Sequence, residues 1–176
     1  MRRGSAVFLA LAILAAGASK AASDPAAPKL RYVFSIYAEL DPPIEQGVVD
    51  GRRKRFVPIS GGAVSGPRLQ GVVLAGGGDW QSIGGDGLTV VDTRYTLKTS
   101  DGVVIDIANP GVRVASPEVT AKLAAGEQVA PDAYYFRTSP RFSVGPGPYD
   151  WLRRTVFVGR GVRNPDNVQI DVFAVE

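Results

Sequence analysis

The chain has 176 residues, 45% of them hydrophobic and 21% charged, with a formal net charge of +3; this is the size and balance of one ordinary globular domain. It contains no cysteine and no histidine, which excludes disulfides, a thiol nucleophile, the commonest general base and the commonest zinc ligand. Chemistry would have to come from Asp, Glu, Tyr, Arg, Lys or Ser, and no cofactor or metal is assigned.

A positive head at Arg2-Arg3 precedes "AVFLALAILAAGA", an uncharged run over residues 6–18. The run is too short for a transmembrane helix, which needs roughly 20 apolar residues. Small residues around Ala16–Ala18 and Ser19–Ala21 fit a cleavage site, so residues 1–21 read as a secretory signal peptide, followed by a flexible leader over 22–29. Losing Arg2, Arg3 and Lys20 takes the 20 basic residues down to 17, equal to the 17 acidic ones. The basic balance therefore belongs to the export signal. Nucleic acid is not an expected partner, no stable membrane anchor remains after cleavage, and the expected location is periplasmic or secreted.

From Leu30 the pattern alternates. Leu30, Tyr32, Phe34, Ile36, Ala38 and Leu40 share one face, while Arg31, Ser35 and Glu39 share the other, as in a half-buried strand that Pro42-Pro43 ends. "GRRKR", residues 51–55, reads as a solvated loop between strands. Phe56–Ile59 and Arg68–Leu74 read as strands separated by a glycine turn, "SGGAVSG". "GGGDWQSIGGDG", residues 76–87, reads as a flexible loop able to lay Trp80 over a barrel mouth. Leu88–Thr99 and Val103–Ala108 flank "SDG", a strong hairpin signal. "SPEVTAKLAAGE" carries the one helix, with Ser116 as N-cap, Pro117 in the first turn and Gly126 as the stop. Tyr134–Arg137, Thr155–Val158 and Val168–Val175 complete the strands. Many short strands with one short helix predict an all-β fold, a single antiparallel barrel over residues 30–176 whose interior holds a small ligand.

The motifs "GGAVSGPRLQGVVLAGGGDWQ", "VVDTRYTLKTSDGVVIDIANPGVR", "YYFRTSPRF" and "YDWLRRTVFVGRG" resemble the bacterial family DUF3237, also called UPF0311, over residues 30–175. The resemblance implies a compact, lipocalin-like antiparallel β-barrel, with hints of action on small aromatic compounds. The G-P-x-L-x-G…D-W pattern falls on Gly66, Pro67, Leu69, Gly71, Asp79 and Trp80; L-D-x-R-Y-x-L on Asp92, Arg94, Tyr95 and Leu97; and Y-F-R-T-x-P on Tyr135, Phe136, Arg137, Thr138 and Pro140. Departures at Ala75, Asp106, Pro110, Ser143 and Arg153 would alter ligand choice if those positions lined a pocket.

The candidate acids are Asp79, Asp92 and Glu39. Asp79-Trp80 reads either as an acid beside a stacking wall or as a structural plug. Asp92 and Arg94 share a strand face, Arg94 as a carboxylate clamp and Asp92 as its partner or a base, or else the two form an outer ion pair. Glu39 is either a buried acid or a strand-end charge. Arg137 and Arg68 are further anion clamps, and Tyr135 and Trp151 further aromatic walls. The expected partner is a small aromatic or acidic molecule, and the sequence leaves a homo-oligomer open. It also leaves open an enzyme of proton-transfer type (lyase, decarboxylase or isomerase), a non-catalytic carrier or sensor, and a structural interaction module with a filled barrel.

Overall fold

The computed structural model describes residues 24–176. The expected signal peptide lies outside the described residues, and residues 24–29 carry no regular structure. The strands are β1 Leu30–Leu40, β2 Ile44–Val49, β3 Arg52–Ser65, β4 Gly71–Val73, β5 Gly77–Ile83, β6 Leu88–Thr99, β7 Val104–Val114, β8 Tyr135–Thr138, β9 Arg141–Ser143, β10 Phe157–Arg163 and β11 Asn167–Val175. The helix α1, Pro117–Ala124, and a 3₁₀ turn at Asp150–Arg154 complete the elements. Among the described residues no helix is long and apolar enough to cross a membrane.

Eight strands close a ring in the order β1-β3-β5-β6-β7-β8-β10-β11, every pairing antiparallel. The expected barrel is therefore present. β4 and β5 occupy successive halves of one slot between β3 and β6. The chain bends between them at Gly76, whose φ of +107° suits a residue without a side chain. β2 flanks β3, and β9 extends β7 beside the closed end.

Three local readings are corrected. The "SGGAVSG" stretch is not a turn but the second half of β3, bulged against β1 near Glu39 and Leu40. The bulge needs glycine, because a Cβ on Gly62 (φ +136°) would lie 1.9 Å from the Tyr37 carbonyl oxygen. "GRRKR" is not a loop either, since Arg52–Arg55 open β3. The Asp79–Trp80 stretch is strand β5, and Gly78 is there because any Cβ would meet the Phe56 ring at 2.1 Å.

Alternation sets the interior. Phe34, Ile36 and Ala38 point inward as the pattern predicts, but Leu30 and Tyr32 are exposed, because a register shift between Tyr32 and Phe34 breaks the period. Strand register moves every downstream side chain to the other face when one residue is inserted. One end of the barrel is packed solid by Phe34, Leu97, Ile105, Phe142, Leu152, Phe157 and Val172, all buried. Its rings meet edge to face, Phe34–Phe142 at 5.9 Å and Phe142–Phe157 at 5.1 Å. The other end is open and polar.

Candidate functional site

The open end holds a cavity of about 460 Å³ under helix α1, within the range that encloses small organic ligands. Its shape follows from the register. Asp79 on β5 lies opposite Thr93 on β6, and Thr93 lies opposite Asn109 on β7, which places all three side chains in one row on the inner wall. One step toward the mouth, Arg55 on β3 lies opposite Gln81 on β5. Arg113 and Arg163, near the mouth ends of β7 and β10, add two more guanidinium groups. Deeper positions are apolar or aromatic, among them Val57, Ile59, Tyr95 and Ile170. The helix presents Thr120, Leu123 and Ala124 to the cavity. Ser116 caps its start by accepting a hydrogen bond from the Val119 N–H at 3.2 Å.

A hydrogen-bond chain fixes the acid. Arg55 Nε donates to Gln81 Oε1 at 2.7 Å, Gln81 Nε2 donates to Asp79 Oδ2 at 2.5 Å, and Thr93 Oγ1 donates to Asp79 Oδ1 at 3.0 Å. Asp79 is only 9% exposed. Burial pushes its carboxyl above the usual carboxylate range, against the opposing pull of the Gln81 and Thr93 hydrogen bonds and the Arg113 and Arg55 charges. The acid is thus held in place by two donors while its proton affinity is raised.

The arginines show the converse. Burial, then the neighbouring Arg55 and Arg163 charges, pulls Arg113 down to about 10, and it is only 7% exposed. Arg55 and Arg163 are lowered as well, each chiefly by burial. None of the ion pairs among the described residues engages Arg55, Arg113 or Arg163. By contrast Arg53, also on the cavity rim, is paired with Glu45 at 2.6 Å. Burial likewise raises the Tyr95 hydroxyl, which stays a neutral O–H.

Of the nine residues singled out by sequence, Asp79 alone lines this cavity and the other eight lie off its wall, Glu39 as a strand-end charge and Asp92–Arg94 as an outer pair, each one of the two readings the sequence left open. Neighbouring strand residues point to opposite faces, so Asp79 pointing in sends Trp80 out, where it is 46% exposed against Phe56 at 4.7 Å. Asp92 and Arg94 sit on the outer face of β6 as an exposed pair 3.7 Å apart, because Val91, Thr93 and Tyr95 take the inner positions. Trp80 and Arg94 share only a shallow outer groove. Glu39 is exposed on the outer face of β1. Tyr135 and Arg137 alternate outward with inward Phe136 and Thr138, and the Arg137 guanidinium stacks 5.1 Å from the Tyr135 ring. Arg68 lies 4.2 Å over the Trp151 ring, which packs on Phe157 at the closed end. The departures at Ala75, Asp106, Pro110, Ser143 and Arg153 also lie off the cavity wall.

The site residues that sequence reasoning passed over are Arg55, Gln81, Thr93, Asn109, Arg113, Thr138 and Arg163. One signal was available. Once Asp79 is set inward, the hairpin register through Ser100–Gly102 forces Thr93, Asn109 and Arg113 inward with it.

An eight-stranded antiparallel barrel, solid at one end and holding a buried acid among arginines at the other, defines a class of cavity-bearing β-barrel proteins. The match to the family described as "Protein of unknown function (DUF3237)" spans residues 28–175, and the chain belongs to that family. A UPF0311 protein of Rhodopseudomonas palustris is 39% identical over 145 residues, covering 82% of this chain and 95% of the relative. The crystal structure from that organism superposes with a TM-score of 0.81 at 37% identity, over 87% of this chain and all of the other. A "beta-barrel like protein" of Acinetobacter baumannii matches with a TM-score of 0.75 at 34% identity, over 88% of this chain and 100% of the other. A "hydroalkoxylation enzyme" of Penicillium herquei is 34% identical over 99 residues, 56% of this chain and 66% of that enzyme.

Proposed function

We propose that this protein is an enzyme that uses Asp79 to move a proton on a small, acidic, unsaturated organic molecule held in the cavity. The observation that carries the reading is Asp79 itself, a carboxyl buried on a cavity wall, oriented by Gln81 and Thr93 and biased toward its protonated form. A general acid works best when its pKa lies near the working pH, and burial is the usual way a carboxyl is brought there.

Among proton-transfer reactions, the addition of an alcohol or phenol across a carbon–carbon double bond is favoured by the Penicillium relative, whose name states that chemistry. The step balances without an outside reagent. Asp79 delivers its proton to one alkene carbon, the substrate oxygen bonds to the other, and the O–H proton returns to the Asp79 carboxylate. The reverse step is an elimination. Tyr95, kept as a neutral O–H by burial, can donate a hydrogen bond to the reacting oxygen.

The proposal includes export to the periplasm or beyond, which the Arg2-Arg3 head and the apolar run over 6–18 support. N-terminal sequencing of the protein recovered from the periplasm should begin after residue 17 and before residue 25. Recovery of an intact Met1 from the cytosolic fraction would contradict it.

The reaction is tested by incubating the protein in D2O with an allyl-hydroxybenzoate, which carries a carboxylate, a phenol and an alkene. The expected product is a ring-closed isomer with one deuterium fixed on carbon. A compound retained by the protein without any carbon-bound deuterium would overturn catalysis and leave a carrier.

A further inference from the structure

Buried charge without a partner is costly, and a protein keeps it where a ligand supplies the counter-charge. Four guanidinium groups and three carboxyls line the cavity: Arg53 is paired with Glu45, Asp41 and Asp166 are exposed, and the buried Arg113 and half-buried Arg55 and Arg163 have no ion-pair partner among the described residues. Their remaining donors can be counted. Arg55 spends Nε on Gln81, Arg163 spends Nη1 on the Asn167 carbonyl oxygen at 3.0 Å, and no hydrogen bond or ion pair among the described residues engages Arg113. Each guanidinium offers five N–H donors in a plane suited to two-pronged binding of an oxyanion, so most of the donor capacity is unspent. Over the whole lining, four arginines stand against Asp41, Asp79 and Asp166, so the net charge is +1 with Asp79 ionised and +2 with Asp79 protonated. With Asp79 protonated, one negative charge leaves the lining positive and two neutralise it.

A second observation comes from the polar atoms lower in the same cavity. Asn109 Oδ1 and Thr138 Oγ1 are buried and have no hydrogen-bond partner, although both residues line the cavity. Orphaned buried polar atoms are rare in folded proteins. Asn109 Oδ1 can only accept; its amide lies beside the Tyr95 hydroxyl, and a ligand hydroxyl would supply the donor that Oδ1 lacks.

We propose that the ligand of this cavity is a small ring compound with two ionised acidic groups and a hydroxyl. Its doubly negative end is clamped by Arg55, Arg113 and Arg163 near the mouth, and its hydroxyl donates toward Asn109 and Thr138 further in. An aromatic dicarboxylate and a phosphate monoester share that head chemistry. The clamp fixes the orientation, with charge toward α1 and the reacting hydroxyl at the level of Asp79. It rests on the proposed function for its location in the cavity and is independent of the proton transfer.

The test uses phthalate, phenyl phosphate, benzoate and benzyl alcohol as probes, by calorimetry and thermal unfolding. At least one dianion should bind about 30-fold tighter than benzoate and raise Tm in proportion to its concentration. The better of phthalate and phenyl phosphate names the head group. Arg113→Met and Arg163→Met should each weaken that dianion about tenfold or more while benzoate changes less. Asp79→Asn should keep the dianion preference even as deuterium incorporation is lost. Benzoate binding within about threefold of both dianions, or no dianion raising Tm at about 10 mM, overturns the clamp. Dianion binding without deuterium incorporation into an allyl-hydroxyphthalate, which carries both carboxylates beside the phenol and the alkene, overturns the proton-transfer reading and leaves the clamp standing. Deuterium incorporation without dianion preference does the reverse.

Discussion

Gln81 donates its side-chain N–H to the carboxylate of Asp79 at 2.5 Å, two positions away on the same strand face. The same amide accepts from Arg55 at 2.7 Å, so one neutral side chain couples a buried acid to a half-buried guanidinium. Replacing Gln81 by Leu leaves Asp79 with Thr93 alone and Arg55 with a freed Nε. Stability should fall by about 1–3 kcal/mol, the usual cost of stranding buried polar partners, and the Asp79 carboxyl should rise further. Chemical unfolding of the two proteins side by side measures the first effect, and a carbon-13 titration of the carboxyl measures the second.

Asp79 also sets a pH dependence of stability. Its folded value is raised above the ordinary 3.8, so the folded state binds the proton more tightly than the unfolded chain. A raised carboxyl therefore costs nothing below about pH 4, where both states are protonated, and costs progressively more as pH climbs through the folded value. Asp79→Asn should consequently be more stable than the wild type at pH 7, with the difference shrinking toward pH 4. Thermal unfolding across that range checks the sign, and a difference that grows on acidification would contradict it.

Arg113 carries the opposite charge and the same cost. Its drop to about 10, from burial and then from the Arg55 and Arg163 charges, means that the charged form is held at a cost in stability. Because the guanidinium is charged at pH 7, removing it relieves that cost. Arg113→Met should raise the Tm of the ligand-free protein by several degrees while weakening anion binding, the exchange expected where a binding site is held at the expense of stability. Unchanged or lower stability would mean that Arg113 is a structural group.

On the outer wall, Trp80→Ala removes a half-exposed ring resting on Phe56 and should cost about 1 kcal/mol of stability. Asp92→Asn separates an exposed pair already 3.7 Å apart and should change stability by less than about 0.5 kcal/mol. Both variants should bind the dianion as the wild type does. A loss of binding in either one would move the site to the outer face of the barrel.

One side of the mouth is lined by α1, whose start depends on Ser116. Ser116→Ala should cost about 1 kcal/mol, expressed first as faster amide exchange in Val119 and Thr120 and not across the barrel strands. Uniform exchange throughout would show that helix and barrel open together.

The hairpin at Ser100–Gly102, the helix with its Ser116 cap and the inward set on β11 were all legible in sequence, because turn chemistry, capping and period-two alternation are local. The barrel followed from the count of strands and from the family motifs. The site was mostly not legible. It depends on which face of each strand turns inward, and the shift between Tyr32 and Phe34 and the bulge beside Gly62 reset that parity without any change in composition. Glycine density made residues 76–87 look like a loop, whereas Gly77 and Gly78 are there because Tyr95 and Phe56 press against a strand. The arginines were hidden for a related reason. Arg55 sat in a basic run typical of a solvated surface, and Arg113 and Arg163 stood singly, so only the closed ring of strands brings them together.

The central claim is that Asp79 is the proton donor, and the most direct test compares ring closure of an allyl-hydroxybenzoate by the wild type, Asp79→Asn and Asp92→Asn. The account predicts a fall in kcat of about 100-fold or more for Asp79→Asn, with Asp92→Asn staying within about twofold of the wild type. Equal rates for the wild type and Asp79→Asn, or a collapse in Asp92→Asn alone, would contradict it.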